Sequence, residues 1–263
     1  MPGRISYELG TFCWADLNAP DPDAATAFYT GLFGWHAHVD PDPLVAGHIT
    51  LTLDGDLSRP VAALMPMTAE APPGTPAFWT TYVSVADVDA TAELVRGAGG
   101  QVFMGPTDAG ELGRFALLFD PQGALVGLWQ ARDFHGAGVI GEPGAYCWSE
   151  LAVRDVEGAR AFYGTVLGWE GDTHASGPAA YTEWRTPGGT PAGWMTQMDE
   201  RWPAEIPPRW TVTFTVSDCD ATAARAAELG GTVAVAPHDI PAGRVALLND
   251  PQGGRFSVIH PNG

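Results

Sequence analysis

Hydrophobic and polar positions alternate in short runs that are interrupted by helical segments. The aromatic run at residues 10–17 predicts a strand, and residues 21–23 (Asp-Pro-Asp) then supply a helix N-cap followed by proline at the first helical position. A helix through residues 24–32 is predicted to end at Gly34. Three short alternating runs follow, at residues 35–39, 48–53 and 61–67. The predicted order is therefore strand, helix and three strands.

The same order returns after a proline-rich segment at residues 69–76. Residues 78–85 predict a strand and residues 88–98 a helix. Three more predicted strands occupy residues 100–104, 114–119 and 124–130. The sequence Asp-Pro-Gln-Gly at residues 120–123 is typical of a turn between the last two strands.

The chain also repeats itself over a longer distance. Residues 11–17 (TFCWADL) recur as residues 145–151 (AYCWSEL), and residues 113–123 match residues 243–253. Such self-similarity at a nearly constant offset indicates a tandem duplication. We therefore predict two α+β domains, at residues 1–131 and 143–263, joined by a glycine-rich linker at residues 132–142.

Composition places the chain among ordinary globular proteins, with 45% hydrophobic and 17% charged residues. No apolar stretch reaches the roughly 18 residues that a membrane helix needs. No export signal is visible at the N-terminus, and the three cysteines include no Cys-x-x-Cys pair. A reducing environment suits that cysteine pattern. We therefore expect a cytoplasmic protein that does not associate with membranes.

Charge narrows the choice of partners. The net charge is −18, and all 13 basic residues are arginine, because the chain contains no lysine. That composition excludes a lysine-containing phosphate loop and Schiff-base chemistry with pyridoxal phosphate. Nucleic acid is also a poor partner, since phosphate binding needs a basic surface. Two interpretations of the acidity remain open, namely a role in solubility and the attraction of a cationic small molecule.

Four motifs together resemble those of the vicinal oxygen chelate superfamily. They are Phe28-Tyr29, Leu32-Phe33-Gly34-Trp35, the helix start at residues 85–90, and residues 120–123 before the final strand, and each recurs in the second half. That superfamily contains glyoxalase I, extradiol dioxygenases, fosfomycin resistance enzymes and bleomycin-binding resistance proteins. The resemblance implies paired βαβββ modules that form a U-shaped, partly open barrel in each half, with a site in its concavity.

The resemblance also implies where metal ligands would lie. Family members that use a metal place His, Gln or Glu on the first strand of each module and Glu near the end of its last strand. Those positions hold Trp14, Trp148, Thr80, Thr211, Gly127 and Ser257. The last strands of the first modules contain no acid and no histidine, and none of the seven histidines recurs at the repeat offset. A metal ion needs three or four converging donors, so we expect no metal and no other cofactor.

Aromatic residues take the place of those ligands. Seven of the ten tryptophans lie on or beside strands of the predicted sheets: Trp14, Trp79, Trp129, Trp148, Trp184, Trp194 and Trp210. Indole rings in place of polar ligands turn a metal pocket into an apolar, stacking pocket. The alternative is that the rings simply fill the barrel as hydrophobic core.

Acidic residues accompany the rings. Asp16 and Glu150 follow Trp14 and Trp148 by two positions, so they share the same strand faces. A carboxylate beside an aromatic wall is suited to an aromatic ligand that carries a cation. A structural alternative is that each acid caps the backbone at a strand end. Near the second pair, Glu183 and Arg185 flank Trp184 on the opposite face, where they could pair with each other or bind a polar substituent.

These observations favour a small-molecule binding protein over an enzyme, and we identify no catalytic residue. We expect a monomer or homodimer that binds an aromatic antibiotic or secondary metabolite, with or without a cationic group. A protein that binds such a molecule would serve in self-resistance or have an accessory role in biosynthesis. Two enzymes remain as alternatives: a glyoxalase-like lyase or dioxygenase, and a metal-free enzyme that acts on a polyketide intermediate. In the second, Asp16, Glu150 or Glu183 would be the general base.

Overall fold

The computed structural model describes residues 6–39, 47–68, 71–176 and 179–262. Within those ranges the chain forms sixteen strands and four helices, as two sets of ten elements in the same order. Each set contains two copies of strand, helix and three strands. The protein is therefore of the α+β class with two tandem domains of paired βαβββ modules, as the sequence predicts.

The two sets of elements correspond to the two halves of the repeat. The first set is β1 (Phe12–Ala19), α1 (Pro22–Phe33), β2 (His36–Val39), β3 (Ile49–Thr52), β4 (Pro60–Pro66), β5 (Phe78–Ser84), α2 (Val88–Gly97), β6 (Gln101–Asp108), β7 (Gly113–Phe119) and β8 (Leu125–Ala131). The second set is β9 (Tyr146–Val153), α3 (Val156–Leu167), β10 (Glu170–Ser176), β11 (Ala179–Arg185), β12 (Pro191–Gln197), β13 (Arg209–Thr215), α4 (Cys219–Glu228), β14 (Thr232–Ile240), β15 (Gly243–Asn249) and β16 (Arg255–Pro261).

Each half forms one open sheet of eight strands. The strand order is β2-β3-β4-β1-β5-β8-β7-β6 in the first half and β10-β11-β12-β9-β13-β16-β15-β14 in the second. The two modules of a half join through their first strands, which pair antiparallel, whereas the first and last strands of a module run parallel. Each sheet is therefore built by the two modules of one half.

The helices begin and end where local chemistry predicts. Asp21 and Asp155 are the N-caps of α1 and α3, and each carboxylate accepts a hydrogen bond from a backbone N–H three residues later. Gly34 and Gly168 end these helices with φ angles of 72° and 69°, a conformation that favours glycine. No helix in the described part of the chain is long and apolar enough to cross a membrane.

The helix-covered faces of the two sheets share one hydrophobic core. Residues of both halves belong to the same buried cluster. Phe28 on α1 contacts Phe256 on β16, and Phe12 on β1 contacts Trp210 on β13 with ring centroids 5.0 Å apart. Because this core occupies the helix side of both sheets, the opposite faces are the surfaces that remain for a ligand.

Candidate functional site

The helix-free face of the first sheet carries three of the predicted site residues, two of which lie at the junction of its two modules. Trp14 pairs with Tyr82, and Asp16 pairs with Thr80, across the junction of β1 and β5. Side chains of paired residues lie on the same face of a sheet. We call this surface the first cup and define it by these four residues. The equivalent surface of the second sheet, the second cup, is defined by Trp148, Glu150, Thr211 and Thr213.

Three of the predicted site residues lie on the other face. Trp79, Trp184 and Trp210 are buried in the shared core, where Trp79 Nε1 donates to Tyr29 and Trp210 Nε1 donates to Tyr163. Side chains alternate along a strand, and Trp79 and Trp210 directly precede the cup residues Thr80 and Thr211, so they face the helices. These three rings are part of the hydrophobic core and do not line a cup.

The first cup does not provide a metal site. Thr80 offers one hydroxyl and Trp14 none, and a side chain at Gly127 would overlap the ring of Tyr82. The neighbouring position on β4, which pairs with Asp16, is Ala63. A tyrosine ring therefore fills the space into which a ligand at position 127 would project. The residues present do not fit a divalent cation.

The second cup offers no better donor set. Trp148, Thr211 and Ser257 stand at the family's ligand positions, and the neighbour of Glu150 on β12 is Trp194. Among the described residues no group of three or more His, Cys, Asp or Glu side chains is placed to hold a metal ion. Glu150 is the one strong oxygen donor in the centre of this cup, and a single carboxylate does not hold a divalent cation.

The first cup is covered by the segment that connects the halves. Phe134 packs edge-on against Trp14, with ring centroids 4.8 Å apart, and against Trp129 at 5.8 Å. Trp129 Nε1 donates to the Phe134 carbonyl, and the Ala137 N–H donates to the Cys13 carbonyl. Trp14 and Trp129 each retain only 8% of their exposure. The predicted site residues Trp14, Asp16 and Trp129 thus come together, but in a closed space.

Asp16 lies at the centre of the first cup and has no cationic partner in the part of the chain that the structure describes. Its Oδ2 accepts a hydrogen bond of 2.7 Å from Tyr82, and its Oδ1 accepts one from Asn18. Burial raises the pKa of Asp16 to about 7, and the Tyr82 hydrogen bond opposes that rise. The hydroxyl of Thr80 is buried beside it and has no hydrogen-bond partner. The acid is therefore bound by side chains, and is not a backbone cap.

The second cup is partly exposed and contains a row of four rings. Trp148, Trp194, Tyr181 and His174 lie on adjacent strands from β9 to β10, and each remains partly accessible. Tyr181 stacks on Trp194 with centroids 4.8 Å apart, and the neighbouring contacts are 6.0 Å (Trp148 with Trp194) and 5.2 Å (His174 with Tyr181). The row forms an aromatic wall along one side of the cup.

Glu150 lies beside this wall. It pairs with Trp194 on one side and with Thr211 on the other, and its carboxylate accepts a hydrogen bond from Thr196. Burial raises the pKa of Glu150, while the Thr196 hydrogen bond and the charges of Arg209 and His238 oppose the rise. Glu150, like Asp16, is bound by a side chain and is not a backbone cap.

Glu183 and Arg185 pair with each other. Arg185 Nη2 lies 2.8 Å from Glu183 Oε1, and His174 Nε2 lies 3.8 Å from Glu183 Oε2. Glu183 also pairs with Trp194 across β11 and β12, so it shares the face of the aromatic wall. Its charge is compensated by Arg185, which distinguishes it from Glu150.

Sequence reasoning missed several residues of the second cup. Tyr181 precedes Glu183 by two positions and Arg209 precedes Thr211 by two, so strand alternation would have placed both on this face. Arg255 precedes Ser257 by two in the same way. The two-residue spacing is visible in the sequence. It assigns these residues to the cup only when the strand pairing shows which face of each strand is the cup face.

Comparison with known proteins agrees with this architecture. The model of the Glyoxalase/Bleomycin resistance protein/Dioxygenase superfamily matches residues 11–128, and that of the Glyoxalase-like domain matches residues 148–259. The chain therefore belongs to the glyoxalase/bleomycin resistance protein/dioxygenase superfamily, as a member with two domains in tandem.

Individual relatives cover nearly the whole chain. It is 44% identical over 264 residues to the "Putative glyoxylase CFP32" of Mycobacterium bovis, covering 99% of this chain and 98% of that protein. It is 41% identical over 262 residues to the anthracycline biosynthesis protein DnrV of Streptomyces peucetius, covering 96% and 94%. The fold resembles that of the 2,3-dioxygenase LapB from Pseudomonas sp. KL28, with a TM-score of 0.63 at 12% identity over 100% of this chain and 94% of that one.

Proposed function

We propose that the second cup binds a small aromatic molecule without a metal ion. The observation that carries this proposal is the row formed by Trp148, Trp194, Tyr181 and His174, whose stacked rings stay partly exposed on the helix-free face of the sheet. Exposed aromatic faces are suited to a ligand, because a flat molecule can displace water from them. In this proposal the ring of the ligand lies along the wall.

The second cup is favoured over the first because the first is already filled. Phe134 and Trp129 occupy the first cup, and a ligand would have to displace the segment tied to β1 by Ala137. Trp148 and Trp194 have no such cover among the described residues that contact them. In this proposal only the second cup binds a ligand, although both cups come from the two halves of the same repeat.

A role in secondary metabolism, either self-resistance or an accessory function in biosynthesis, fits such a site. The relationship to DnrV, a protein named for anthracycline biosynthesis, supports that setting. The cationic group considered from the sequence is not part of the proposal. Asp16 is enclosed beneath Tyr82, and the carboxylate of Glu150 already accepts a hydrogen bond from Thr196, so neither carboxylate is left free to pair with a cation.

A second candidate function is acid–base catalysis without a metal. Glu150 is a partly buried carboxyl group with a raised pKa beside an aromatic wall, an arrangement that also occurs in general acids and bases. A metal-dependent lyase or dioxygenase is not favoured, since the donors at the ligand positions do not fit one. Catalysis would require turnover of the bound molecule, which mass spectrometry after incubation would detect.

The wall can be tested with 2-naphthamide, a neutral and flat probe. Titration should quench the tryptophan fluorescence saturably, and Trp194→Ala should weaken binding by more than about 1 kcal/mol, as the loss of a central aromatic anchor does. Tyr181→Leu provides a second, independent change to the wall. Trp14→Phe, in the first cup, is the matched control and should leave the affinity unchanged.

The same titration after dialysis against a chelator tests metal independence. The affinity for 2-naphthamide should not change. Binding that depends on a metal, or that responds to Trp14→Phe and to neither wall variant, would contradict the proposal. An absence of saturable binding at millimolar probe would contradict it as well.

A further inference from the structure

Two arginines on the second sheet have no counter-ion among the described residues. In the described part of the chain, neither Arg209 nor Arg255 lies within 4.0 Å of a carboxylate. Other arginines of the protein do form ion pairs, such as Arg185 with Glu183 and Arg114 with Asp89. In a chain of net charge −18, two partly buried arginines without an acidic partner call for an explanation.

Strand register places both arginines on the face of the second cup. Arg209 precedes Thr211 by two residues, and Thr211 pairs with Glu150. Arg255 precedes Ser257 by two, and Ser257 pairs with Thr213. Residues two apart on a strand share a face, so the arginines lie on the β13–β16 side of Glu150. The aromatic wall lies on its other side.

The two guanidinium groups are close enough to repel each other. Burial lowers the pKa of Arg209 to about 10, and the charge of Arg255 adds to that decrease, whereas Glu150 opposes it. Glu150 is near Arg209 but beyond ion-pair distance, and its own hydrogen bond comes from Thr196. The repulsion between the arginines would be relieved by an anion that contacts both.

Hydrogen-bond donors are available for that anion. Among the described residues Arg209 Nε is buried with no partner, and the one hydrogen bond of this side chain is a long contact of 3.5 Å from Nη1 to the Pro207 carbonyl. Arg255 uses its Nε on Asn249, at 2.8 Å, and makes no other hydrogen bond in the described structure. The guanidinium of Arg209 lies over the ring of Trp202, 5.7 Å from the ring centroid, in the arrangement of a cation–π contact.

We propose that the molecule bound in the second cup is an aromatic carboxylate, with its ring on the wall around Trp194 and its carboxylate on Arg209 and Arg255. This inference rests on the proposed function of the same cup. Trp194 pairs with Glu150 and Arg209 with Ala152, so their backbones lie two strand spacings apart across the sheet and two residues apart along it, about 12 Å in all. A two-ring aromatic acid and the reach of an arginine side chain together span that distance. Planar guanidinium groups match the geometry of a carboxylate.

The net charge of the chain does not oppose this assignment. Charges separated by more than about 8 Å are largely screened at physiological ionic strength, so the groups within the cup determine binding at contact. Those groups include Glu183, which pairs with Arg185, and Glu150, whose carboxylate accepts a hydrogen bond from Thr196 and forms no ion pair with either arginine. Arg209 and Arg255 remain as uncompensated positive charge.

Calorimetric titration with three matched probes tests the proposal: 2-naphthoate, 2-naphthamide and 2-naphthylmethylammonium. Naphthoate should bind at least about tenfold tighter than the amide, and the ammonium probe more weakly than both. Arg209→Gln and Arg255→Gln should each remove most of the preference for naphthoate while leaving the affinity for the amide within twofold. Arg209→Lys keeps the charge and should retain part of the preference.

The control for net charge is Arg96→Gln on α2, which makes the same charge change in the other half and should leave all three affinities unchanged. Equal affinity of naphthoate and amide in the wild type, with both still weakened by Trp194→Ala, would overturn the carboxylate assignment and leave the proposed function intact. Failure of every probe to respond to Trp194→Ala would instead overturn the proposed function. Tighter binding of the ammonium probe would overturn the carboxylate assignment in favour of a cationic ligand.

Discussion

At the scale of the residue, Tyr82 determines the chemistry of the first cup. Its ring occupies the space beside Gly127, and its hydroxyl donates to Asp16. The glycine is required because any side chain at position 127 would overlap that ring. The first cup thus encloses a hydrogen-bonded acid and phenol, Asp16 and Tyr82, beside Gly127.

This enclosure makes the stability of the protein depend on pH through Asp16. Its folded-state pKa of about 7 exceeds the ordinary value of 3.8, so the folded state holds the proton more tightly than the unfolded state. The resulting stability is fully present below about pH 4 and is lost as the pH rises to about 7. The loss corresponds to about 4 kcal/mol at most.

Asp16→Asn should therefore remove this decrease. Chemical denaturation at a series of pH values should show an unfolding free energy that falls less between pH 4 and pH 7 in the variant than in the wild type. Asp133→Asn, at an exposed aspartate, is the control and should keep the wild-type profile. An unchanged slope in Asp16→Asn would show that the carboxyl group titrates normally.

At the scale of the element, the segment between β8 and β9 decides which cup is open. It lies across the first sheet, where the Ala137 N–H donates to Cys13, the Gly138 N–H donates to Pro60 and Tyr7 donates to the Ala137 carbonyl. Phe134 places its ring between Trp14 and Trp129. One connecting segment thus distinguishes two otherwise similar sheets.

Phe134→Ala should open the first cup. Loss of a fully buried phenylalanine ring lowers the free energy of unfolding by about 3 to 5 kcal/mol. Phe134 is partly exposed, so its removal should lower the free energy of unfolding by less than that. Acrylamide should then quench the tryptophan fluorescence more strongly, because Trp14 and Trp129 become accessible. Phe103→Ala on β6 is the matched control, since that ring is 56% exposed and should cost little. Equal quenching in both variants would mean that Phe134 does not cover the cup.

At the scale of the whole molecule, each half donates side-chain hydrogen bonds to the other half. Tyr29 on α1 donates to Asp250 in the turn of the second half, and Tyr163 on α3 donates to Asp120 in the turn of the first. Trp35 likewise donates to the Gly144 carbonyl and Trp169 to the Gly10 carbonyl. The motifs that identify the family are thus the groups that hold the halves together.

We expect the halves to unfold as one cooperative unit. Calorimetry of the full chain should show a single transition, and residues 1–137 or 138–263 alone should lack a cooperative transition, because each would expose half of the shared core. Tyr29→Phe should destabilise the whole chain by about 1 to 3 kcal/mol, since it removes the donor to Asp250 Oδ2 and the acceptor of Trp79 Nε1 in a buried site. Two separate transitions in the full chain would contradict this expectation.

The sequence by itself determined the repeat, the α+β modules, the caps of the helices and the family. These features depend on local periodicity and on residues with special backbone preferences, such as Asp21 and Gly34, so they can be read without knowing which strands pair. The absence of a bound metal, which the identity of the residues at Trp14 and Gly127 indicates, stays a prediction.

Only the tertiary structure decided which rings face a cup and which face the core. Trp79 and Trp210 are one residue out of phase with the cup residues, and the phase of a strand is set by its partners across the sheet. The same holds for Arg209 and Arg255, which lie 46 residues apart in sequence and meet because β13 and β16 pair in parallel. Closure of the first cup by Phe134 depends on where a connecting segment crosses the sheet, and no local pattern fixes that.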